Sequence, residues 1–300
     1  MKLIADSGST KTDWTLLHDS GMRTDNVFMA TFKTQGITPI HQSPAEIRQI
    51  LAQELMPQLS TFSRAQLVHS KILESPLLSN IQVYFYGSGC TSTHVPMMKQ
   101  MLFEVFSPQA VEVYSDLMAA ARALCGHEEG VACILGTGAN SCLYDGEKIT
   151  QNTPPLGYIL GDEGSGAVLG RSFMNALFKD PQYADLCDAY LKETGLTMPT
   201  IINKVYREPL ANRFLASTAS FISQHLDFKP LRQMVIDNFR SFFQRNVTHY
   251  KRPALPVHAV GSIAWYFQTE LREAAGAEDF ILGNIMQTPM EGLVKYHQYP

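Results

Sequence analysis

Hydrophobic and polar positions divide the chain into short strand patterns and longer helical patterns, and one order of elements occurs twice. The first occurrence opens with an apolar strand at Lys2 to Asp6, a tight turn and a second strand at Asp13 to His18. Too few residues separate these strands for a helix, so they predict a hairpin. A turn at Ser20-Gly21 and a third strand over Asn26 to Lys33 complete a small meander.

Helical signals follow this meander. Ser43-Pro44-Ala45-Glu46 has the layout of a capping box with proline at the first helical position. Four apolar positions then fall on one helical face: Ile47, Ile50, Leu51 and Leu55. Later in this half the pattern predicts strands at residues 81–86 and 111–115 and helices at 95–106 and from Asp116 to Gly126.

The second half repeats the layout with little sequence identity. An apolar strand at Val131 to Leu135 precedes a glycine turn at residues 136–140, a strand at Ser141 to Tyr144, a turn at Asp145-Gly146 and a third strand from Lys148. The pattern then predicts an inserted helical region at 164–250, a strand at 257–260, a helix after Gly261-Ser262, a strand at Asp279 to Leu282 and a helix from Pro289. Two such halves predict a two-lobed α/β protein, with the lobe boundary near Asp116.

Composition excludes several classes of protein. Of the 300 residues 45% are hydrophobic and 17% charged, which is enough for a sizeable core. The net charge of −4 argues against a nucleic-acid partner, and no apolar run approaches the roughly 20 residues that cross a bilayer. A signal-peptide layout is missing and the five cysteines lack metal-ligand spacing, so we expect reduced thiols in a cytoplasmic protein.

The glycine turns carry the candidate chemistry. DSGSTKT, residues 6–12, places small residues where a hairpin leaves backbone N–H groups free, and such groups bind phosphate oxygens. Asp6 ends its strand, where a carboxylate can hold Mg²⁺ through water. The same residue types also suit a plain hairpin turn. The second glycine turn at residues 136–140 favours function, because two such loops could clamp the β- and γ-phosphates of a nucleotide.

Three further positions allow a structural and a functional interpretation each. Asp116 is either a helix cap or a general base. The stretch LGYILGDEGSGAVLG, residues 156–170, surrounds Asp162 and Glu163 with glycines, so these acids either cap a helix or bind sugar hydroxyls. Gly261-Ser262 is either an ordinary strand-to-helix turn or a helix N-terminus that meets a nucleotide.

These motifs, in this order, resemble the N-acetylglucosamine kinase and BadF/BadG ATPase family of the sugar kinase, Hsp70 and actin superfamily. The resemblance rests on DSGSTKT, the context of Asp116, GTGAN, GDEGSG and VGS, and it spans nearly the whole chain. It implies an actin-like ATPase (ribonuclease H-like) fold with a duplicated βββαβαβα core, and a helical insertion in the second lobe. It implies a first lobe at residues 1–115, on which residues 289–300 pack, and a second lobe at residues 116–288. It also implies ATP-dependent phosphoryl transfer to the hydroxyl of an amino sugar.

The resemblance assigns roles residue by residue. It implies a magnesium-site acid at Asp6, a catalytic base at Asp116 and a first phosphate loop over Gly8, Ser9, Thr10, Lys11 and Thr12. It implies nucleotide contacts at Gly136, Thr137 and Gly138, and an adenosine loop at Gly261 and Ser262. The implied sugar contacts are Thr38, Asn140, Gly157 and Asp162.

Two departures from the family pattern bear on the substrate. The usual first loop is DGGGTKT, and here Ser7 and Ser9 replace two glycines. In QGITPIHQ, Thr38 stands where the family has an asparagine that contacts the sugar. These departures leave the sugar open among N-acetylglucosamine, glucosamine and their relatives.

Two other functions and the oligomeric state stay open at this point. An activator ATPase needs cysteines that hold an iron–sulfur cluster at a dimer interface, and the chain has no CxxC pair. A sugar sensor without catalysis would not need Asp6, Lys11, Thr137 and Asp116 together. A homodimer could use the aromatic helix at Asp237 to Tyr250, although the spacing of its three phenylalanines favours a core role.

Overall fold

The computed structural model describes residues 1–17, 29–69 and 81–298. The predicted turn at Ser20-Gly21, the end of the second strand at His18 and the start of the third at residues 26–28 lie outside these ranges. Within them, no helix combines the length and the apolar character that crossing a membrane requires.

Strands and helices follow the predicted order. The strands are β1 (Lys2–Ser7), β2 (Lys11–Leu17), β3 (Met29–Gln35), β4 (Gln82–Gly87), β5 (Ala110–Ser115), β6 (Glu129–Leu135), β7 (Ala139–Asp145), β8 (Ile149–Thr153), β9 (Val257–Val260) and β10 (Leu282–Met286). The helices of the first half are α1 (Pro44–Ile50), α2 (Met56–His69), α3 (Val95–Phe106) and α4 (Asp116–Cys125). Those of the second half are α5 (Gly157–Leu160), α6 (Gly166–Lys179), α7 (Ala184–Thr194), α8 (Met198–Tyr206), α9 (Ala211–Ser217), α10 (Ala219–Gln224), α11 (Lys229–Phe242), α12 (Ser262–Tyr266), α13 (Gln268–Ala277) and α14 (Met290–Gln298).

The two sheets share one strand order, which confirms the predicted duplication. The first sheet runs β3-β2-β1-β4-β5 and the second runs β8-β7-β6-β9-β10. In each, the first three strands of the half form an antiparallel meander, and the last two add parallel to its first strand. The predicted helical insertion at 164–250 holds α6 to α11.

The chain separates into two compact units at the end of α4. The first unit is Met1–Gly126 with Pro289–Pro300, and the second unit is His127–Thr288. The division therefore falls one helix later than the sequence pattern placed it. The reason is that Ala119 and Ala123 of α4 are buried in a cluster with Ile4 of β1, so α4 packs on the first sheet.

The prediction of a strand at Asp279 to Leu282 was wrong, since β10 begins only at Leu282. The preceding residues end α13 instead. Asp279 takes a left-handed conformation with φ of 59°, and the Phe280 N–H donates to the Ala275 carbonyl at 2.9 Å. This chain reversal at the helix C-terminus occupies the residues that the apolar pattern had marked as extended.

Each unit has its own apolar core. In the first unit the predicted helical face of Ile47, Ile50, Leu51 and Leu55 is buried against the sheet, and the Ser43–Glu46 capping box is formed. In the second unit Phe239, Phe242 and Phe243 are fully buried, which confirms the core role of that helix.

The C-terminal helix α14 packs on the first unit, against α4. The Arg122 guanidinium lies 4.1 Å from the Tyr114 ring centre and 4.9 Å from that of Tyr296, and it donates to the Tyr86 hydroxyl at 2.8 Å. The same hydroxyl lies 2.9 Å from Nε2 of His297. Burial and nearby positive charge lower the pKa of His297 to about 3, so its ring is neutral in this network.

We predict that Gly292→Ala destabilises the first unit. A methyl group at Gly292 would lie 2.2 Å from the Ala123 carbonyl oxygen of α4, and backbone cannot move aside as a side chain can. Overpacking of this kind costs about 1–3 kcal/mol of unfolding free energy. Urea unfolding followed through the fluorescence of Trp14, which is buried in this unit, measures the loss.

Gly276→Ala is the matched control, because a methyl group there meets no atom within 4 Å. This change in α13 should raise stability by about 0.5–1 kcal/mol through the lower backbone entropy of alanine. Equal effects of the two substitutions would contradict the close approach of α14 to α4.

Candidate active site

The parallel strands of the first unit end side by side. Ser7 of β1 is in register with Gly87 of β4, and Gly87 with Ser115 of β5. The next residues along these strands are Gly8, Ser88 and Asp116, so the turn after each strand leaves the sheet at one edge. Carboxyl ends of parallel strands are where ligands bind in open α/β sheets.

The first glycine turn is a tight hairpin with an exposed backbone. The Gly8 N–H donates to the Lys11 carbonyl at 3.0 Å, and Gly8, Ser9 and Thr10 are exposed. Gly36 supports this loop from behind, since its N–H donates to the Thr10 carbonyl at 3.1 Å and a methyl group there would lie 2.3 Å from the Gly8 carbonyl oxygen. The sequence analysis did not identify Gly36.

Thr12 lies apart from the exposed loop, contrary to its predicted contact with phosphate. Its side chain is fully buried, and its hydroxyl donates to the Gln35 carbonyl at 3.1 Å and lies 2.6 Å from that of Ser7. The Ser7 hydroxyl in turn bonds both the N–H and the carbonyl of Ile37. These two side chains therefore fix the loop to the chain after β3, and the hydroxyl of Thr12 has no position free for a phosphate.

Two aspartates face each other across β1 and β2. Asp6 is in register with Asp13, and opposed like charges destabilise a strand pair. Lys11 forms an ion pair with Asp13, with 2.6 Å between Nζ and Oδ2. Burial raises the pKa of the Asp6 carboxyl to about 7, and repulsion by Asp13 and Asp116 adds to the rise, while Lys11 opposes it.

The surroundings of Asp6 suit a bound cation. Its carboxylate receives no hydrogen bond from the described residues, and the nearby acids Asp13 and Asp116 raise the cost of its charge. Yet in the described ranges no three His, Cys, Asp or Glu side chains are placed to hold a metal ion together. A magnesium ion at Asp6 would therefore take most of its oxygen ligands from outside this chain, and its binding through water stays a prediction.

Asp116 is the first residue of α4 and is not its N-cap. Ser115 occupies the cap position and accepts from the Met118 N–H at 3.3 Å. The Asp116 carboxylate accepts from the Leu117 N–H at 2.9 Å and from the Ser88 hydroxyl. Burial raises its pKa above the ordinary aspartate value, although these hydrogen bonds oppose the rise.

Thr38 lies in the loop after β3 and carries an unsatisfied polar atom. The residue is 6% exposed, and its buried Oγ1 has no hydrogen-bond partner among the residues that the structure describes. Its backbone N–H donates to the Gln42 side chain at 2.7 Å, and Gln42 donates to the Gly36 carbonyl at 3.0 Å. A buried hydroxyl without a partner costs free energy, which marks this position as a candidate ligand contact.

In the second unit the glycine turn after β6 rests on the start of α6. The Gly136 N–H donates to the Gly138 carbonyl at 2.9 Å. The Gly166 N–H donates to the Gly136 carbonyl at 2.8 Å, and the Ala167 N–H to the Thr137 carbonyl at 3.2 Å. Thr137 itself is exposed, so its hydroxyl is accessible to a ligand.

Asp162 joins this turn to the glycine-rich stretch. Its carboxylate accepts from the N–H groups of Ala139 and Gly157, and it would lie 3.1 Å from a methyl group at Gly138. Asp162 and Gly157 both have positive φ, of 55° and 73°. Burial raises the pKa of the Asp162 carboxyl to about 6, and the charge of Glu163 adds to the rise.

Asn140 and Gly261 lie next to the same turn. The Asn140 side-chain oxygen accepts from the Ser141 N–H and from Nδ2 of Asn152, both at 2.9 Å. Gly261, with φ of 127°, approaches so closely that a methyl group there would lie 2.3 Å from the Leu135 carbonyl oxygen. Ser262 is exposed at the start of the short helix α12.

The predicted site residues thus form one group in each unit. The first unit holds Asp6, Gly8, Ser9, Thr10, Lys11, Thr38 and Asp116, with Thr12 turned into its core. The second unit holds Gly136, Thr137, Gly138, Asn140, Gly157, Asp162, Gly261 and Ser262. Sequence reasoning missed Gly36, which supports the first loop, and Ser88, which follows β4 and donates to Asp116.

No protein-family model and no curated protein matches the chain. Solved structures do resemble it along almost the whole length. A candidate N-acetylglucosamine kinase from Porphyromonas gingivalis is 45% identical, with 99% of both chains covered and a TM-score of 0.88. A second candidate N-acetylglucosamine kinase, from Chromobacterium violaceum, is 19% identical over 98% of both chains, with a TM-score of 0.70.

A more distant similarity concerns the fold alone. MreB 5 of Spiroplasma citri, solved with AMPPNP bound, is 8% identical and has a TM-score of 0.52 over 99% of this chain and 93% of its own. With the duplicated sheet order, this similarity confirms the predicted α/β actin-like fold.

We predict that Asp6→Asn changes how stability depends on pH. The pKa of this carboxyl is raised from 3.8 to about 7 in the folded protein, so the folded protein binds the proton more tightly than the unfolded chain does. The wild-type protein therefore loses stability as pH rises from about 4 to about 7. The uncharged amide of the variant avoids this loss. Its free energy of unfolding at pH 8 should exceed that of the wild type by about 1–3 kcal/mol, less than the full pKa shift corresponds to, because Asp6 is partly exposed to solvent.

Urea unfolding of both proteins at intervals between pH 4 and 8 measures the difference. It should grow through this range and level off above pH 7. A difference that does not change with pH would contradict the assigned environment of Asp6.

Proposed function

The chain belongs to the N-acetylglucosamine kinase and BadF/BadG ATPase family, and we propose that it transfers the γ-phosphoryl group of ATP to a hydroxyl of an amino sugar. The observation that carries this proposal is a group of three features in the first unit. They are the exposed loop at Gly8 to Thr10, the Asp6 carboxylate, which receives no hydrogen bond from the described residues, and the Asp116 carboxylate, which is held by hydrogen bonds. The residues proposed for phosphate, metal and base therefore occur in one unit, and phosphoryl transfer to an alcohol needs all three roles.

The phosphates of ATP are the ligand of the glycine turns in this proposal. Exposed backbone N–H groups and the hydroxyls of Thr10 and Thr137 donate to phosphate oxygens, and the Lys11 ammonium adds positive charge. Lys11 is 56% exposed, so it can leave Asp13 for a phosphate at little cost. Bound Mg²⁺, held at Asp6 through water, would neutralise the charge that develops on the phosphoryl oxygens.

Asp116 is the general base of the proposed reaction. Its carboxylate takes the proton from the sugar hydroxyl as the oxygen of that hydroxyl attacks the γ-phosphorus. The raised pKa suits this role, because a base accepts a proton best when its pKa lies closer to the working pH. The hydrogen bonds from Leu117 and Ser88 keep the group oriented.

Sugar binding falls to Asp162, Asn140, Gly157 and Thr38 in this proposal. The Asp162 carboxylate is fixed by two backbone N–H groups, so it can accept from sugar hydroxyls without losing its orientation. N-Acetylglucosamine or glucosamine is the proposed substrate, in keeping with the relative that is 45% identical.

The cysteines favour a kinase over an activator ATPase. Cys90, Cys133 and Cys142 are at most 5% exposed, and the two partly exposed cysteines, Cys125 and Cys187, lie on different helices in different units. A cluster shared across a dimer interface needs thiolates at the surface, and burial also raises the pKa of the Cys90 thiol to about 12.

We predict sugar-dependent release of ADP from Mg-ATP. A coupled assay would compare N-acetylglucosamine, glucosamine, N-acetylmannosamine, N-acetylmuramic acid and glucose. One of the amino sugars should give the highest kcat/KM. Hydrolysis of ATP at one rate with or without sugar would contradict the kinase assignment.

Asp116→Asn keeps the shape of the base and removes its proton affinity. We expect kcat to fall about 10²- to 10⁴-fold, the usual contribution of a general base. Binding of ATP, followed by calorimetry, should stay unchanged. Full activity of this variant would show that Asp116 is only part of the helix start.

Thr38→Val tests the buried hydroxyl. The substitution removes an atom that has no partner in the free protein, so the free energy of unfolding should stay the same or rise by about 1 kcal/mol. If the hydroxyl binds sugar, KM for the sugar should rise several-fold while KM for ATP does not change. An unchanged sugar KM would exclude Thr38 from the sugar site.

A further inference from the structure

The turn Gly87-Ser88-Gly89 after β4 connects two parts of the candidate site in the first unit. The Ser88 N–H donates to the Ser7 carbonyl at 2.9 Å, which ties the turn to the end of β1. The Ser88 hydroxyl donates to the Asp116 carboxylate at the start of α4. Ser88 thus bonds through its backbone to β1, the strand before the first glycine turn, and through its side chain to Asp116, the proposed base.

The packing around the turn leaves Ser88 little freedom to move. A methyl group at Gly87 would lie 2.6 Å from the Phe85 ring, and one at Gly89 would lie 2.9 Å from the Ile40 side chain. Gly89 also has a positive φ of 79°, a conformation that favours glycine. Because both neighbours of Ser88 are held this closely, the fold fixes the backbone position of Ser88 beside Asp116.

The Asp116 carboxylate depends on few donors. Besides Ser88, its hydrogen bonds come from backbone N–H groups at the start of its own helix. Its negative charge raises the pKa of Asp6 on β1 and of the Cys90 thiol after the turn, and neither group donates to it. Among the residues that the structure describes, Ser88 is therefore the side chain that stabilises the carboxylate by a hydrogen bond.

We infer that Ser88 is a positioning residue for catalysis, which holds the Asp116 carboxylate in the orientation that receives the proton of the sugar hydroxyl. This inference rests on the proposed function. Without this bond only the backbone N–H groups at the start of α4 hold the carboxylate. Misplacement of a reacting group by about 1 Å can cost on the order of 100-fold in rate.

Ser88→Ala and Ser88→Thr test the inference in the coupled assay with the sugar that the wild-type enzyme uses best. The alanine variant keeps the backbone bond to Ser7 and should lower kcat about 10- to 100-fold, with KM for sugar and ATP within about twofold of wild type. The threonine variant restores a hydroxyl and should recover most of kcat. Ser217→Ala, which removes an exposed hydroxyl from α9 in the second unit, should leave both constants unchanged.

The double variant Ser88→Ala with Asp116→Asn separates positioning from general damage. If Ser88 acts through Asp116, the double variant should have a kcat within about twofold of that of Asp116→Asn alone, because the base that Ser88 positions is already missing there. A drop as large as in the wild-type background would overturn the inference, as would an alanine variant with full kcat. A wild-type protein without sugar-dependent turnover would instead overturn the proposed function.

Discussion

The register of three parallel strands is the constraint on which the rest of the first unit depends. Because Ser7, Gly87 and Ser115 are in register, the residues after them leave the sheet at one edge. This alignment brings together Asp6, the turn that carries Ser88, and Asp116, which are distant in sequence. A shift of one residue in either strand pair would turn alternate side chains to the opposite face of the sheet and disperse the group.

The second unit uses the same strand order for a different set of side chains. Its central strand β6 pairs with β9 so that Ile134 lies opposite Val260, and the turns at Gly136 and Gly261 follow at one edge. In the first unit the corresponding turns begin at Gly8 and Ser88, and a carboxylate, Asp116, follows the third parallel strand. In the second unit the segment after β8 supplies a carboxylate, Asp162, beside the glycine turn. The duplicated sheet therefore places a glycine turn after the first strand of each half, and the residues between and beyond the strands add the carboxylates.

Most helices and strands could be predicted from the sequence, because the spacing of apolar residues reflects which side chains are buried. Ile47, Trp14 and Phe239 stand at apolar positions of such patterns, and all three are buried. Turn chemistry marked the glycine loops, whereas the roles of single residues such as Thr38 and Asn140 came only from the family resemblance and stay predictions. The apolar pattern misplaced β10, since the left-handed reversal at Asp279 has no signature in an aspartate alone. The importance of Ser88 could not be read from the sequence either, because its partner Asp116 is brought near only by the register of β4 and β5. The inward direction of Thr12 was readable, since it lies two residues before the buried Trp14 on β2 and so points to the same face of the sheet.

The central claim is that the γ-phosphoryl group of ATP moves to a sugar and not to water. ³¹P NMR of a reaction with Mg-ATP and N-acetylglucosamine distinguishes these outcomes in one spectrum. We expect a sugar phosphate resonance that grows in step with ADP, with inorganic phosphate at the level of the enzyme-free control. Inorganic phosphate that grows in step with ADP, without a sugar phosphate for any amino sugar, would contradict this claim.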